Sequence, residues 1–365
     1  VELFKNINGQ QQESPIFVNA ITVKGKGFTP AEKNPGAFHG VSTFDFETVE
    51  DPDVAPDESF SVEFGKSILK LAYINKKICT ITAAMKYGTG LQFFHKKLPD
   101  RFFDVGMAEQ HAVTFATGLA KGGMLPVVCI YSTFLQRAYD QIIHDVCLQN
   151  ANVLFVIDRA GLVPNDGETH QGIYDVAFLS QHSNLRIVCP SNYAELSYWL
   201  GQFTDVNNVG PRAIRLPRGK EKEVLAKLSV TKNEFDVIKN GSKTKTAIIS
   251  YGAMVEEAIL AQNALGDKKI NVDVIKLNII NPLPCGFIDT VVGYKNVVFL
   301  EDSIENGSVA QKTAVKLLHE NFGGKYIIKA MPTRGIDHAT VEELRVQNGL
   351  DCESICKLIE SGEKF

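Results

Sequence analysis

The most constraining feature of this chain is an alternation. Short, almost wholly apolar runs such as Ile78–Thr82, Pro126–Ile130 and Val153–Ile157 are separated by longer stretches whose apolar residues recur every three or four positions. A run that is apolar at every position suits a strand buried on both faces, whereas the wider spacing suits a helix with one buried stripe. Phe64, Ile68, Leu71 and Ala72 form one stripe, Ala108, Ala112, Phe115 and Leu119 a second, and Leu135, Ala138, Ile142 and Val146 a third. Leu185–Cys189 and Ala213–Leu216 add two strands. Strands joined by helices build a parallel sheet covered on both faces, so residues 59–219 are expected to form a three-layer α/β domain.

A charged stretch follows at 220–240, with Lys220-Glu221-Lys222-Glu223, and reads as a linker. The alternation then resumes. Strands are expected at Thr246–Ser250, Val272–Leu277, Asn296–Leu300 and Tyr326–Ala330, with helices near 254–265, 286–292, 307–320 and 340–361. Residues 241–365 thus make a second, smaller parallel-sheet, three-layer domain. Residues 1–40 are different. They offer one candidate strand, Ile16–Val23, before a basic turn, Lys24-Gly25-Lys26-Gly27-Phe28, which is too little to bury a core and reads as a short N-terminal remnant of another domain. Residues 41–58, acidic and holding Pro52 and Pro56, read as a linker.

Composition narrows the classes. A net charge of −4 gives no footprint for nucleic acid, and no apolar run reaches the roughly 18 residues that cross a bilayer. No secretory leader is recognised at Val1–Phe4, and the seven cysteines, mostly inside apolar runs, are expected as reduced thiols rather than a disulfide or zinc framework. A cytoplasmic location is expected, or a plastid in a eukaryote.

In open parallel sheets, ligands bind beyond the carboxyl ends of the strands. Those positions carry Ala83-Ala84-Met85-Lys86-Tyr87-Gly88, Gly106-Met107-Ala108-Glu109-Gln110-His111, Tyr131-Ser132-Thr133-Phe134, Asp158-Arg159-Ala160-Gly161, Asp166-Gly167-Glu168-Thr169-His170 and Pro217-Arg218-Gly219. Each has an ordinary reading. Glu109 suits a helix start, Phe134 and Tyr131 suit a core, and single arginines mostly form surface ion pairs. Arg137 either reaches the pocket or pairs with Asp140.

Taken together, these motifs resemble, in order and spacing, the deoxyxylulose-phosphate synthase family of transketolase-like enzymes. The likeness covers essentially the whole chain, more weakly after residue 240. The resemblance implies a pyrimidine-binding domain at 59–219, a transketolase C-terminal-like domain at 241–365, and the end of a diphosphate-binding domain at 1–40. It implies thiamine diphosphate as cofactor, pyruvate and glyceraldehyde 3-phosphate as substrates, loss of CO₂, 1-deoxy-D-xylulose 5-phosphate as product and a homodimer. It assigns Glu109 to the aminopyrimidine and Phe134, Met85 and Lys24 to cofactor binding. Tyr131, Arg159, Arg218, Asp166 and His170 go to substrate, with His170, His39 and Asp166 also handling protons.

The family's Gly-Asp-Gly metal motif does not occur in this sequence, so no metal ligand is assigned here and Mg²⁺ is expected to be held elsewhere. The chain alone is therefore expected to bind cofactor poorly and turn over little. The β-subunit of a 2-oxoacid dehydrogenase, transketolase itself and a non-catalytic assembly module remain alternatives. A lipoyl domain as acceptor, in place of glyceraldehyde 3-phosphate, distinguishes the first.

Overall fold

The computed structural model describes residues 1–9, 14–39, 58–241, 244–333 and 335–361. The chain divides into two units, Val1–Ala55 and Pro56–Phe365. The first holds two short helices, Glu2–Asn8 and Thr29–Lys33, and an edge-to-face contact between Phe28 and Phe38 with ring centroids 5.5 Å apart. Ile16–Val23 forms no strand, contrary to expectation. β-propensity describes fit to a pleated neighbour, and this unit offers no strand to pair with among its described residues. Residues 41–57 of the expected linker lie outside the described residues.

The second unit contains strands β1 (Ile78–Thr82), β2 (Phe102–Asp104), β3 (Leu125–Tyr131), β4 (Leu154–Asp158), β5 (Arg186–Val188), β6 (Arg212–Arg215), β7 (Phe235–Ile238), β8 (Thr246–Tyr251), β9 (Val272–Leu277), β10 (Ile279–Asn281), β11 (Asn296–Ile304) and β12 (Lys325–Met331). They form two sheets, ordered β10-β5-β6-β4-β3-β1-β2 and β12-β11-β8-β9-β7. Neighbours are parallel except at one edge of each sheet, where β10 runs antiparallel to β5 and β7 antiparallel to β9. The parallel sheets expected from the sequence are present, each with one antiparallel edge strand. An antiparallel edge needs no crossover helix, so short connecting segments can supply it. Thus 220–240, read as linker, carries a helical turn at Glu223–Ala226 and β7. β10 follows β9 in sequence yet completes the other sheet, joining the two halves of this unit through main-chain pairing.

Helix Phe60–Ile74 illustrates how the sequence makes its elements. The Ser59 hydroxyl accepts from the Val62 N–H at 3.2 Å, a cap worth about 1 kcal/mol. Phe64, Ile68 and Ala72 are fully buried, and each of the two large side chains contributes roughly 1.5–3 kcal/mol by leaving water. The helix ends at Asn75, whose side chain reaches the Thr204 carbonyl at 3.2 Å.

Two helical expectations are altered. The stripe over 135–146 is a succession of short turns that ends in a π-helix, Ile142–Cys147, with Ile142 and Val146 still buried. The span 340–361 is two helices, Val341–Gln347 and Cys352–Ser361, parted where Gly349 takes a φ of 62°. Periodicity records which face is buried, not whether the hydrogen-bond ladder is continuous. All seven cysteines are unpaired; Cys285 is exposed and Cys352 half-buried, and the others are buried. No helix among the described residues is long and apolar enough to cross a membrane.

Candidate active site

Sheet order decides what meets what. Strands β6, β4, β3, β1 and β2 are consecutive neighbours and all run the same way. Their carboxyl ends therefore share one rim, where five of the polar loops emerge.

Glu109 opens helix Glu109–Lys121 directly after the β2 loop and is only 2% exposed. A carboxylate in the first turn of a helix is favoured by the backbone dipole. Its Oε1 accepts from Arg137 Nη1 at 2.9 Å, so Arg137 pairs with Glu109 rather than with Asp140. The Arg137 guanidinium also lies 5.0 Å from the Phe134 ring centroid, within cation–π range. Phe134, in the short helix that follows β3, stacks on Tyr131 with centroids 5.9 Å apart and meets the edge of the His170 ring at 5.5 Å. Met85 is buried under this group, and its Sδ accepts from the Tyr131 N–H at 3.4 Å.

Beyond Tyr131 lies a second cluster. The Arg159 guanidinium sits 4.1 Å from the Tyr131 ring centroid and bonds Asp166 Oδ2 at 2.8 Å. Arg218 bonds that same oxygen and also donates to the Pro164 carbonyl at 3.0 Å. Two guanidinium groups thus converge on one anionic oxygen, an arrangement equally suited to a phosphate. Glu109, Arg137, Phe134, Tyr131, His170, Arg159, Asp166 and Arg218 form one continuous chain of contacts. Lys24 and His39 lie in the first unit, where Lys24 Nζ stands 2.5 Å from His39 Nδ1.

Asp158, at the end of β4, was missed by the sequence reading as a separate actor. It is fully buried, and its Oδ1 accepts from the Arg159 N–H at 2.7 Å. Burial pushes its carboxyl up to about 6, against the pull of Ser61, Arg159 and Arg218. Arg159 takes a left-handed φ of 53°, uncommon for a residue with a long side chain, and the Asp158 carboxylate caps that turn. Burial likewise raises the Tyr131 hydroxyl to about 12, so at neutral pH it is a donor. Gly88 leaves no room for a Cβ because the Tyr131 hydroxyl fills that space. A cleft of about 530 Å³ borders the arginine cluster through Pro164, Pro217 and Arg218 but does not reach Glu109 or Phe134.

This rim, on a seven-stranded sheet followed by a five-stranded one, defines the class. Residues 60–222 match the family model described as transketolase, pyrimidine binding domain, and residues 236–355 match transketolase, C-terminal domain. Solved structures agree on the fold. A split-gene transketolase, described as an inactive beta4 tetramer, superposes with a TM-score of 0.70 at 23% identity, covering 84% of this chain and 98% of that one. Transketolase from Campylobacter jejuni gives 0.67 at 15% identity, covering 90% and 49%. The chain is therefore a transketolase-type α/β protein. Within that class its sequence is similar to curated 1-deoxy-D-xylulose-5-phosphate synthases over nearly its whole length. The relative from Clostridium tetani is 38% identical over 95% of this chain and 56% of its own length, and that from Halothermothrix orenii 40% identical over 98% and 57%. The chain spans a little over half the length of these curated relatives.

Proposed function

We propose that this chain supplies the pyrimidine half of a thiamine-diphosphate site that joins pyruvate to D-glyceraldehyde 3-phosphate, releasing CO₂ and forming 1-deoxy-D-xylulose 5-phosphate. One observation carries the reading: a buried carboxylate, Glu109, is connected through stacked aromatics to a pair of arginines that share a single acidic oxygen. The residues present suit an aminopyrimidine, since Glu109 offers an acceptor shielded from water and Phe134 an aromatic face. When bound, the cofactor supplies a nucleophilic carbon and a sink for the electrons left by decarboxylation.

The chain's own residues divide the remaining work. Glu109 holds a proton at the pyrimidine ring nitrogen, and Arg137 keeps the carboxylate oriented. Arg159 and Arg218 bind the acceptor phosphate, which competes with Asp166 for the same guanidinium groups. His170, packed against Phe134, donates to the acceptor's aldehyde oxygen, and Tyr131, which carries the Arg159 guanidinium on its face, belongs to the substrate side of the site. Lys24 and His39 belong to the end of the diphosphate-binding domain, Lys24 assigned to the cofactor and His39 to proton handling. Mg²⁺ on the diphosphate is held by residues outside this sequence, and the assembled enzyme is a homodimer.

The test pairs this chain with a diphosphate-binding domain from a member of the family. Cofactor-dependent CO₂ release from pyruvate, and a pentulose phosphate formed only when glyceraldehyde 3-phosphate is added, are the expected results. The isolated 365-residue chain is expected to bind thiamine diphosphate weakly and to make no product. Transfer to a lipoyl domain with indifference to the phosphorylated aldehyde would refute the proposal and favour the dehydrogenase reading.

A further inference from the structure

The segment from Arg159 to Ile173, which carries Asp166 and His170, is a closed loop rather than a free one. Its neck is the backbone pair Gly161–Gly172, bonded in both directions at 2.7 and 2.9 Å. Inside it, the buried Gln171 side chain is stapled to the Val163 N–H and carbonyl at 2.9 and 2.8 Å. One wall comes from the pyrimidine-binding domain, where Thr133 Oγ1 donates to the Thr169 carbonyl at 2.8 Å.

The other wall comes from the C-terminal domain. The Ile304 N–H donates to the Ile173 carbonyl at 3.0 Å, and the Asn165 N–H to the Ala339 carbonyl at 3.2 Å. His338 fills the space beside Gly167, and Glu168 the space beside Gly335. Most central is Asp302, near the carboxyl end of β11 and 8% exposed. Its Oδ2 fills the space where a side chain at Gly161 would begin. Gly161 takes a φ of 80°, so both conformation and contact exclude a larger residue. Arg215 completes the seat. It bonds Asp175 through Nε at 2.6 Å and Nη2 at 3.0 Å, and its Nη1 stands 3.9 Å from Asp302.

We propose that Asp302 of the C-terminal domain is a positioning residue for the substrate loop, fixing its neck from below so that Asp166 and His170 keep their places beside the arginine cluster. The catalytic consequence rests on the function proposed above; the structural consequence does not. A carboxylate is suited to this task because it packs against the Gly161 backbone on one side and faces the Arg215 guanidinium on the other. Loss of the carboxylate empties the space it fills beside Gly161 and removes the second anion facing Arg215, which keeps Asp175, and a gap at a buried seam favours local opening over global unfolding.

Hydrogen exchange followed by mass spectrometry on this chain tests the structural part. In Asp302→Ala, amides within residues 160–173 are expected to exchange about tenfold faster, while helices Glu109–Lys121 and Val255–Asp267 keep their rates. If Asp302→Ala does not fold, Asp302→Ser, too short to span both partners, reads the same quantity. Unchanged exchange at 160–173 in either folded variant overturns the inference. In the assembly with a diphosphate-binding domain, KM for the phosphorylated acceptor should rise about tenfold, with CO₂ release from saturating pyruvate changed less than about twofold. A fall in CO₂ release with KM unchanged counts against positioning. Absence of any phosphorylated-acceptor activity in the unsubstituted assembly would instead defeat the proposed function and leave the exchange result standing.

Discussion

At the scale of single residues, the site is a chain of mutual constraints rather than a set of independent groups. Glu109 is the case most open to test. It is buried, yet its partner Arg137 is about half exposed, so the pair stays connected to solvent. On the proposed function, Glu109→Gln preserves shape and a hydrogen bond to Arg137 but cannot hold the proton. Turnover of the assembled enzyme is expected to fall by about 10²–10⁴-fold, with the circular dichroism spectrum and melting temperature of the chain nearly unchanged. A melting temperature many degrees lower would make Glu109 a structural carboxylate instead. The Glu109 motif could be read along the chain, whereas its pairing could not. Asp140 was the nearer acid in sequence, and Arg137 reaches Glu109 because two separate loops share one sheet rim.

At the scale of elements, the loops after β1, β3 and β4 brace one another. Gly88 seats the Tyr131 hydroxyl, and Tyr131 in turn carries the Arg159 guanidinium on its face. A methyl group at position 88 meets the ring while the backbone there needs no left-handed conformation. On the proposed function, Gly88→Ala is therefore expected to displace Tyr131 and raise the acceptor's KM in the assembled enzyme roughly tenfold, at a stability cost of about 1–3 kcal/mol, read from steady-state kinetics and denaturant titration. Periodicity located helix Phe60–Ile74 and strands β3 and β4 because burial repeats with backbone geometry. It missed the strand in 220–240, where Phe235–Ile238 is only half-buried and its pattern is faint.

At the scale of the whole chain, buried ion pairs hold the C-terminal domain together and tie it to the pyrimidine-binding domain. Lys276 pairs with Glu195 at 2.8 Å, and Arg345 with Glu256 and Glu257 at 3.0 and 2.8 Å. Near them Glu301 is fully buried, accepting from the Tyr251 hydroxyl at 2.7 Å and the Ala310 N–H at 2.8 Å. Burial pushes its carboxyl up to about 7, so the folded chain binds its proton more tightly than the unfolded chain does. Its contribution to stability is full below the ordinary carboxylate range and is lost as pH rises toward 7. Glu301→Gln retains an acceptor and a donor without the charge. Its melting temperature relative to the unsubstituted chain is expected to improve between pH 5 and pH 8. A difference independent of pH would show that Glu301 is ionised throughout. The C-terminal domain presents Glu301-Asp302-Ser303 near the end of its strand β11. The strand-end rule used for the first domain would have found this cluster had it been applied to the second.

By itself the sequence determined the class of fold and the loops that end the strands, because apolar periodicity encodes burial and short polar motifs mark where each strand stops. Only the tertiary structure decided the pairings: Arg137 with Glu109, two arginines on Asp166, and Asp302 beneath Gly161. Each joins residues brought together by strand order or by the seam between sheets. A linear pattern states which faces are buried, but contact across a fold depends on the path the chain takes between them.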